Sequence, residues 1–231
     1  MPSKDLLRHD LSHIKLVQFD LDGTLIDSLP QLWKAVNIML NEQGLAHAEL
    51  QAVQHWVGNG ADKLVERALN HALGHAPTSL EHEKARARFD VAYASLSDQP
   101  VTLYAGVHQT LRQLKAAGKI LALVTNKPYR FVPDILASSG LAEYFSQVLG
   151  GDSLAQKKPD PAPLLHVCQT LSIAPSQTLM VGDSENDVLA AQAAGIKVVG
   201  LSYGYNYGRN IADSHPDWVL SDFKDLLELL N

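Results

Sequence analysis

One cysteine stands in the 231 residues, so the chain can form no internal disulfide, and a reducing, cytoplasmic setting is expected. That residue, Cys168, falls in the apolar-periodic stretch from Leu164 to Leu171 and reads as a packed thiol rather than a nucleophile. Basic clusters are missing too. The formal net charge is -6 at pH 7, and with no Lys/Arg run to neutralise phosphates a nucleic-acid partner is not expected. No segment approaches the ~20 apolar residues of a membrane helix. Met1 to Asp10 is broken by charges before an apolar core of secretory length can form. Low-complexity tracts and solenoid-period repeats are also absent. What remains, 46% hydrophobic and 19% charged, is the composition of a globular protein able to build a large core with an insert.

Short apolar runs ending in polar or glycine-bearing turns predict buried strands at Ile14 to Asp20, Ile120 to Asn126, Gln147 to Gly150, Thr178 to Asp183, Lys197 to Ser202 and Trp218 to Leu220. Helical patterns lie between them. Val107 to Gly118 places Val107, Leu111 and Leu114 on one face and closes on glycine, and Pro161 to Leu171 and Asp187 to Gly195 read alike. Strands alternating with helices imply right-handed crossovers, hence an α/β fold built on a doubly wound parallel sheet. From about Leu29 to about Gln99 the alternation stops, leaving helical patterns punctuated by Gly44, Gly58, Gly60, Gly74 and Pro77. The expected organisation is a core of residues 1–28 and 100–231 with a helical insert at 29–99, overhanging the carboxyl ends of the strands where open α/β sheets bind ligands.

Those strand ends carry chemistry. Asp20 and Asp22 follow the first, Thr125 and Asn126 end the second, Lys158 follows the third, and Asp183 ends the fourth with Asp187 one helical turn later. The fold would bring them to one edge. Gathered carboxylates repel, about 3 kcal/mol per pair at ~5 Å and an effective dielectric of ~20, so a divalent cation is called for. An all-oxygen donor set favours magnesium over zinc, which would want Cys and His. Thr125, Asn126 and Lys158 suit phosphoryl oxygens. Asp20 is placed to attack phosphorus and Asp22 to act as acid and base, for which its pKa must rise ~2 to 3 units from ~3.9.

In order and spacing, the stretches Asp20-Leu21-Asp22-Gly23-Thr24-Leu25-Ile26-Asp27-Ser28, Val124-Thr125-Asn126-Lys127, Lys158-Pro159 and Gly182-Asp183-Ser184-Glu185-Asn186-Asp187 resemble the motifs of the haloacid dehalogenase superfamily. The resemblance implies a Rossmann-like core with a mobile helical cap. It implies Asp20 as nucleophile and Asp22 as acid/base. Magnesium would be held by the Asp20 carboxylate, the Asp22 backbone carbonyl and Asp183, phosphate by Thr125 and Lys158, with Asp187 behind them or acting through water. Trp56 to Leu69, Gly150-Gly151-Asp152-Ser153, Lys158 to Leu164 and Gly204-Tyr205-Asn206-Tyr207-Gly208 are similar to bacterial phosphoglycolate phosphatases. Ala105 departs from that family's usual proline, implying a softer return hinge, and the stretch before Asp20 is longer than usual.

The implied partner is a small-molecule phosphate ester, with no nucleic acid and no membrane, and the chain is expected to act as a monomer or homodimer. Substrate choice is expected of the cap, through amides around Gly58 and Gly60 and through Asn59, Lys63 and Arg67, since a dianion with an extra carboxylate needs a cationic or amide-rich lid. Sugar-phosphate phosphatase and phosphomutase are the alternatives. A dehalogenase would not need Asp22, and a non-catalytic module would lack a motif residue. His71 and His75, four apart on an expected helix, have no third ligand at metal spacing and read as cap surface. Trp33, Trp56 and Trp218 read as packing residues.

Overall fold

In a computed structural model, residues 11–96 and 101–230 are described. The expectations for Met1 to Asp10 and for the insert's return boundary near residue 99 lie outside them. A six-stranded parallel sheet forms the centre, in the order β5-β4-β1-β6-β7-β8. Its strands are β1 (Leu16–Phe19), β4 (Ile120–Val124), β5 (Gln147–Leu149), β6 (Thr178–Gly182), β7 (Lys197–Leu201) and β8 (Trp218–Leu220). Each falls inside the apolar run that predicts it.

Alternating faces of β1 feed two cores, as a strand buried on both sides must. Val17 and Phe19 join one cluster with Leu121, Leu123, Leu179, Val181 and Phe223, and Leu16 joins the opposite one with Ala122, Met180, Val198 and Leu164. Gln18 is the polar exception, and its Nε2 donates to the Leu164 carbonyl at 3.1 Å, tying α7 (Ala162–Thr170) to the sheet. Cys168, on the same helix, is buried 3.4 Å from Thr178 Oγ1, and burial pushes its thiol up from the ordinary value. That is the packed thiol expected.

Helices α5 (Val107–Ala116), α6 (Val132–Ser138), α7, α8 (Glu185–Ala194) and α9 (Leu226–Leu230) accompany the sheet. Strand β1 sits between β4 and β6, where the winding reverses, so its carboxyl end opens into the crevice at the switch point. Asp20 is the first residue beyond it.

Between β1 and β4 the chain forms α1 (Leu29–Asn41), α2 (Leu50–Gln54), α3 (Ala61–Leu73) and α4 (Ser79–Ala94). These bury a hydrophobic cluster of their own, with Val36, Met39, Leu40, Val65, Ala68 and Phe89 at its centre. Helix α4 starts in a capping box in which Glu81 N donates to Thr78 Oγ1 and Thr78 N to the Glu81 carboxylate. One feature was not foreseen. A two-residue antiparallel pair, β2 (Ile26–Asp27) with β3 (Thr102–Leu103), joins the chain as it leaves the core to the chain as it returns. His75 is exposed, and His71 meets Trp56 in a tilted ring contact, 5.3 Å between centroids. No helix among the described residues is long and apolar enough to cross a membrane.

Candidate active site

Backbone geometry after β1 positions the acidic groups. Gly23 takes φ +88°, a left-handed value that favours glycine, and a Cβ there would stand 2.3 Å from Asp183 Oδ2. The turn can therefore close directly on the carboxylate that follows β6. Thr24 Oγ1 donates to Asp183 Oδ1 at 2.8 Å, and the Tyr205 amide donates to Oδ2 at 2.8 Å.

Asp20, Asp183 and Asp187 each offer an oxygen within 4.8 Å of the others. Lys158 faces this cluster, 2.9 Å from Asp20 Oδ1 and 2.6 Å from Asp187 Oδ1. Its own exposure is 2%, and the acids outweigh the opposing effect of that burial to hold its pKa above the ordinary lysine value. One ammonium does not balance three acids. Burial pushes the Asp20 carboxyl up to about 6 although Lys158 opposes the rise, and burial with Asp20 and Asp187 pushes Asp183 well above the carboxylate range. Asp20 Oδ1 meets Lys158 outside hydrogen-bonding angles and is buried with no hydrogen bond. A buried, unsatisfied carboxylate oxygen beside further anionic oxygens is the donor set of a hard divalent cation, so the residues fit one.

Asp187 has a second task. Its Oδ2 accepts from Ser184 N and Ser184 Oγ, both at 3.1 Å, closing the capping box of α8. The helix terminus thus fixes the carboxylate that holds Lys158 in place.

Asp22 turns away from the cluster. Lys127 Nζ lies 2.9 and 3.1 Å from its two oxygens, a buried lysine for which the sequence reading had no role. Thr125 is buried beyond β4, with Oγ1 accepting from Lys127 N at 3.2 Å. The Asn126 side chain acts as a strut, Nδ2 donating to the Lys158 carbonyl at 2.9 Å and to the Gly58 carbonyl at 3.0 Å. It joins the lysine loop to the helical layer.

A half-open cavity begins at Asp20 and Asp22 and runs under the helices, lined by Thr125, Asn126, Lys127, Gly58, Gly60 and the apolar wall of Leu64, Phe89, Tyr93 and Phe131. Space open to the centre of a water-sized sphere totals about 50 Å³, where one water needs roughly 10–15 Å³. Gly58 and Gly60 therefore reach the cavity, whereas the named side chains of the same region do not line it. Arg67 donates to Asn59 Oδ1 at 2.6 Å and to the Trp56 carbonyl at 2.7 Å, and lies over the Tyr207 ring. Asn59 Nδ2 reaches Asn186 Oδ1 at 3.3 Å, and Lys63 points outward, paired with Glu66. Asn59 and the Arg67–Tyr207 contact thus join the helical layer to the core, whereas Lys63 stays within its own helix. Arg130 with Asp90, and Tyr205 Oη between Asp27 Oδ1 and Leu29 N, add to the same junction.

A family model for haloacid dehalogenase-like hydrolases matches residues 17–201, and the chain belongs to that family of enzymes. Proteins named phosphoglycolate phosphatase are similar over nearly the whole chain. The one from Psychrobacter arcticus is 50% identical across 94% of this chain and 95% of its own, and that from Mannheimia succiniciproducens 48% identical across 95% and 99%. The crystal structure of a predicted phosphoglycolate phosphatase from Haemophilus somnus 129PT superposes with a TM-score of 0.91 at 44% identity, covering 95% of this chain and 99% of that one.

Proposed function

We propose that the chain is a phosphatase that hydrolyses a small phosphate monoester, 2-phosphoglycolate before others, to glycolate and inorganic phosphate. The observation that carries the reading is the meeting of Asp20, Lys158, Asp183 and Asp187 at the switch point, with Asp22 and Thr125 beside them at the mouth of a cavity under the helices. Curated relatives of that name, about half identical over almost the full length, support the substrate.

Asp20 Oδ attacks phosphorus, the P–O bond to the alcohol breaks, and Asp22 protonates the departing oxygen. Asp22 then takes a proton from water, which attacks the aspartyl phosphate and returns the Asp20 carboxylate with free phosphate. Lys158, the Thr125 hydroxyl and the amide at Asn126 hold the phosphoryl oxygens while charge spreads over them. Magnesium would sit on the Asp20 carboxylate, the Asp22 carbonyl oxygen and Asp183, with Asp187 steadying Lys158 behind. When bound it neutralises phosphoryl charge and keeps Asp20 ionised. Residues 29–99 serve as the cap over a core of 1–28 and 100–231, and the β2–β3 pair is its double hinge.

The test is a panel of phosphorylated metabolites assayed with magnesium, with and without EDTA. 2-Phosphoglycolate should show the highest kcat/KM and EDTA should abolish turnover; a hexose phosphate ranking first, or a hexose bisphosphate product, would replace the substrate reading with the sugar-phosphate one.

Charge balance also predicts how the cation acts on stability. Metal-free, the folded chain keeps a proton on Asp20 up to about pH 6, whereas the unfolded chain releases it near the ordinary aspartate value of 3.8. Stability therefore falls as pH rises through that window, by about 3 kcal/mol once complete. Magnesium should raise the melting temperature clearly at pH 8 and little at pH 5, where protons occupy the site. Equal shifts in differential scanning fluorimetry at both pH values would contradict the assignment.

A further inference from the structure

The mechanism uses Asp22 and leaves its partner Lys127 unexplained. This lysine is 5% exposed, follows the phosphate-facing pair Thr125-Asn126, and projects into the cavity beyond Asp22. Its ammonium lies 4.7 Å from the centre of the Tyr93 ring, which belongs to α4 on the opposite side of the cavity. Phe89 stacks on Tyr93 at 5.8 Å, and Phe131 meets it edge-on at 5.0 Å. Burial works against the charge, but Asp22 and Tyr93 outweigh it and raise the lysine above its ordinary pKa. A cation is thus held at the one place where core loop, cap helix and cavity meet.

Among the described residues lining this cavity Lys127 is the only cation. Other basic groups nearby are directed elsewhere. Lys158 is taken up by Asp20 and Asp187, Lys63 by Glu66, and Arg67 by Asn59 and Trp56. Lys157 opens onto a neighbouring cleft beside Asp62 and Arg86. A substrate whose phosphoryl group lies between Asp20 and Lys158 sends its remaining atoms past Asp22 toward Lys127 and the aromatic wall. A carboxylate arriving there without a cation would be desolvated among Leu64, Phe89 and Phe131, at a cost of several kcal/mol.

We propose that Lys127 reads the second anionic group of the substrate, binding its carboxylate under the cap and setting the preference for phosphate esters that carry one. This deepens the phosphatase reading above and rests on it. The side chain is a specificity residue: it contacts the part of the substrate that does not react. Its Asp22 contact places the carboxylate within reach of the acid that serves the leaving oxygen, two bonds from the carboxyl carbon of a 2-phosphoglycolate.

The measurement is kcat/KM for 2-phosphoglycolate against 2-hydroxyethyl phosphate, which keeps the two-carbon ester and replaces the carboxylate by a hydroxymethyl group. Lys127→Met should reduce that preference about 100-fold, the size of a buried charge-assisted contact, whatever it does to the separate rates. Lys127→Arg, which keeps the charge, should retain most of the preference. If Lys127→Met does not fold, Lys127→Gln carries the same comparison. A lysine that merely braces Asp22 would lower both substrates alike and leave the ratio where it was, which would overturn the proposal alone. A wild-type enzyme with no preference for the carboxylate-bearing ester would overturn the substrate reading with it, and the two failures are told apart by the wild-type rates.

Discussion

Replacing Asp20 by Asn should reduce magnesium-dependent phosphate release by at least about 10⁴-fold, because the covalent step has no other attacking group at the phosphoryl position. The same change should leave a protein that is folded and, without metal, more stable. An Asp20 carboxyl pushed up to about 6 is one that the folded chain would rather not ionise, and the attraction of Lys158 is already included in that balance. From the ordinary aspartate value of 3.8, the penalty for carrying the charge above pH 6 is about 3 kcal/mol. Asn keeps the shape and removes the charge. At roughly 2–4 °C per kcal/mol for a domain of this size, the metal-free variant should melt about 6–12 °C above the parent at pH 8. At pH 4 the parent holds its proton and the difference should vanish. Released phosphate and calorimetric scans at the two pH values decide both halves. Full activity would sink the nucleophile assignment; a lower melting temperature at pH 8 would show that the carboxylate is better compensated than its surroundings imply.

The opposed effects on activity and stability have one source. A site that gathers Asp20, Asp183 and Asp187 around a single lysine stores repulsion that a cation and a phosphoryl group relieve, so the arrangement suits the bound state better than the free one.

Much of the core's part in this was legible from the sequence, for a physical reason. Strands buried on both faces must be nearly continuous apolar runs, so β1, β4, β6 and β7 announce themselves, and in a parallel sheet their carboxyl ends share one edge. Asp20, Thr125 and Asp183 could be placed by that rule alone, whereas Lys158 lies in the loop well beyond β5 and is singled out from Lys157 only by the Pro159 that follows it. The same rule is silent about β2 and β3, whose two-residue pairing joins Ile26 to Leu103 across the whole helical stretch and leaves no periodicity to read. Nor could local pattern show that Tyr205 reaches Asp27, or that Gly58 accepts from both Asn126 and Asn186. Such contacts are made by docking of one layer on another. Arg67 and Lys63 look like substrate groups in a sequence because their charge is visible; Glu66, three residues along the same helix, could have been recognised as the partner of Lys63, whereas the Asn59 that occupies Arg67 is recognisable only in three dimensions. Lys127 is the reverse: adjacent to a motif, it gains meaning from Tyr93, contributed by another layer.

Lys158→Met should be the most damaging single change to the fold among the site residues. Methionine fills much of the volume of the lysine stem, so the loss is mainly the ammonium between Asp20 and Asp187. Breaking a buried pair by removing one partner costs about 3–5 kcal/mol, since the remaining charges stay buried. Here those charges also face each other and Asp183, within 4.8 Å. The metal-free variant should therefore melt roughly 10 °C below the parent at pH 8. As pH falls Asp20 and Asp183, which burial already pushes up in the parent, take up protons in the folded variant before they do in the unfolded chain. The folded state gains from that uptake, so the deficit should shrink toward pH 5. Magnesium should shrink it at pH 8 by supplying the lost positive charge. Activity should stay low in both conditions, by about 10³-fold, because a cation that has replaced the ammonium among the carboxylates does not replace it at the phosphoryl oxygens. Melting curves at pH 5 and pH 8 with and without magnesium, beside phosphate release, test this. A deficit independent of pH and of metal would mean that Lys158 holds the site by packing, and that the carboxylates are not coupled through it.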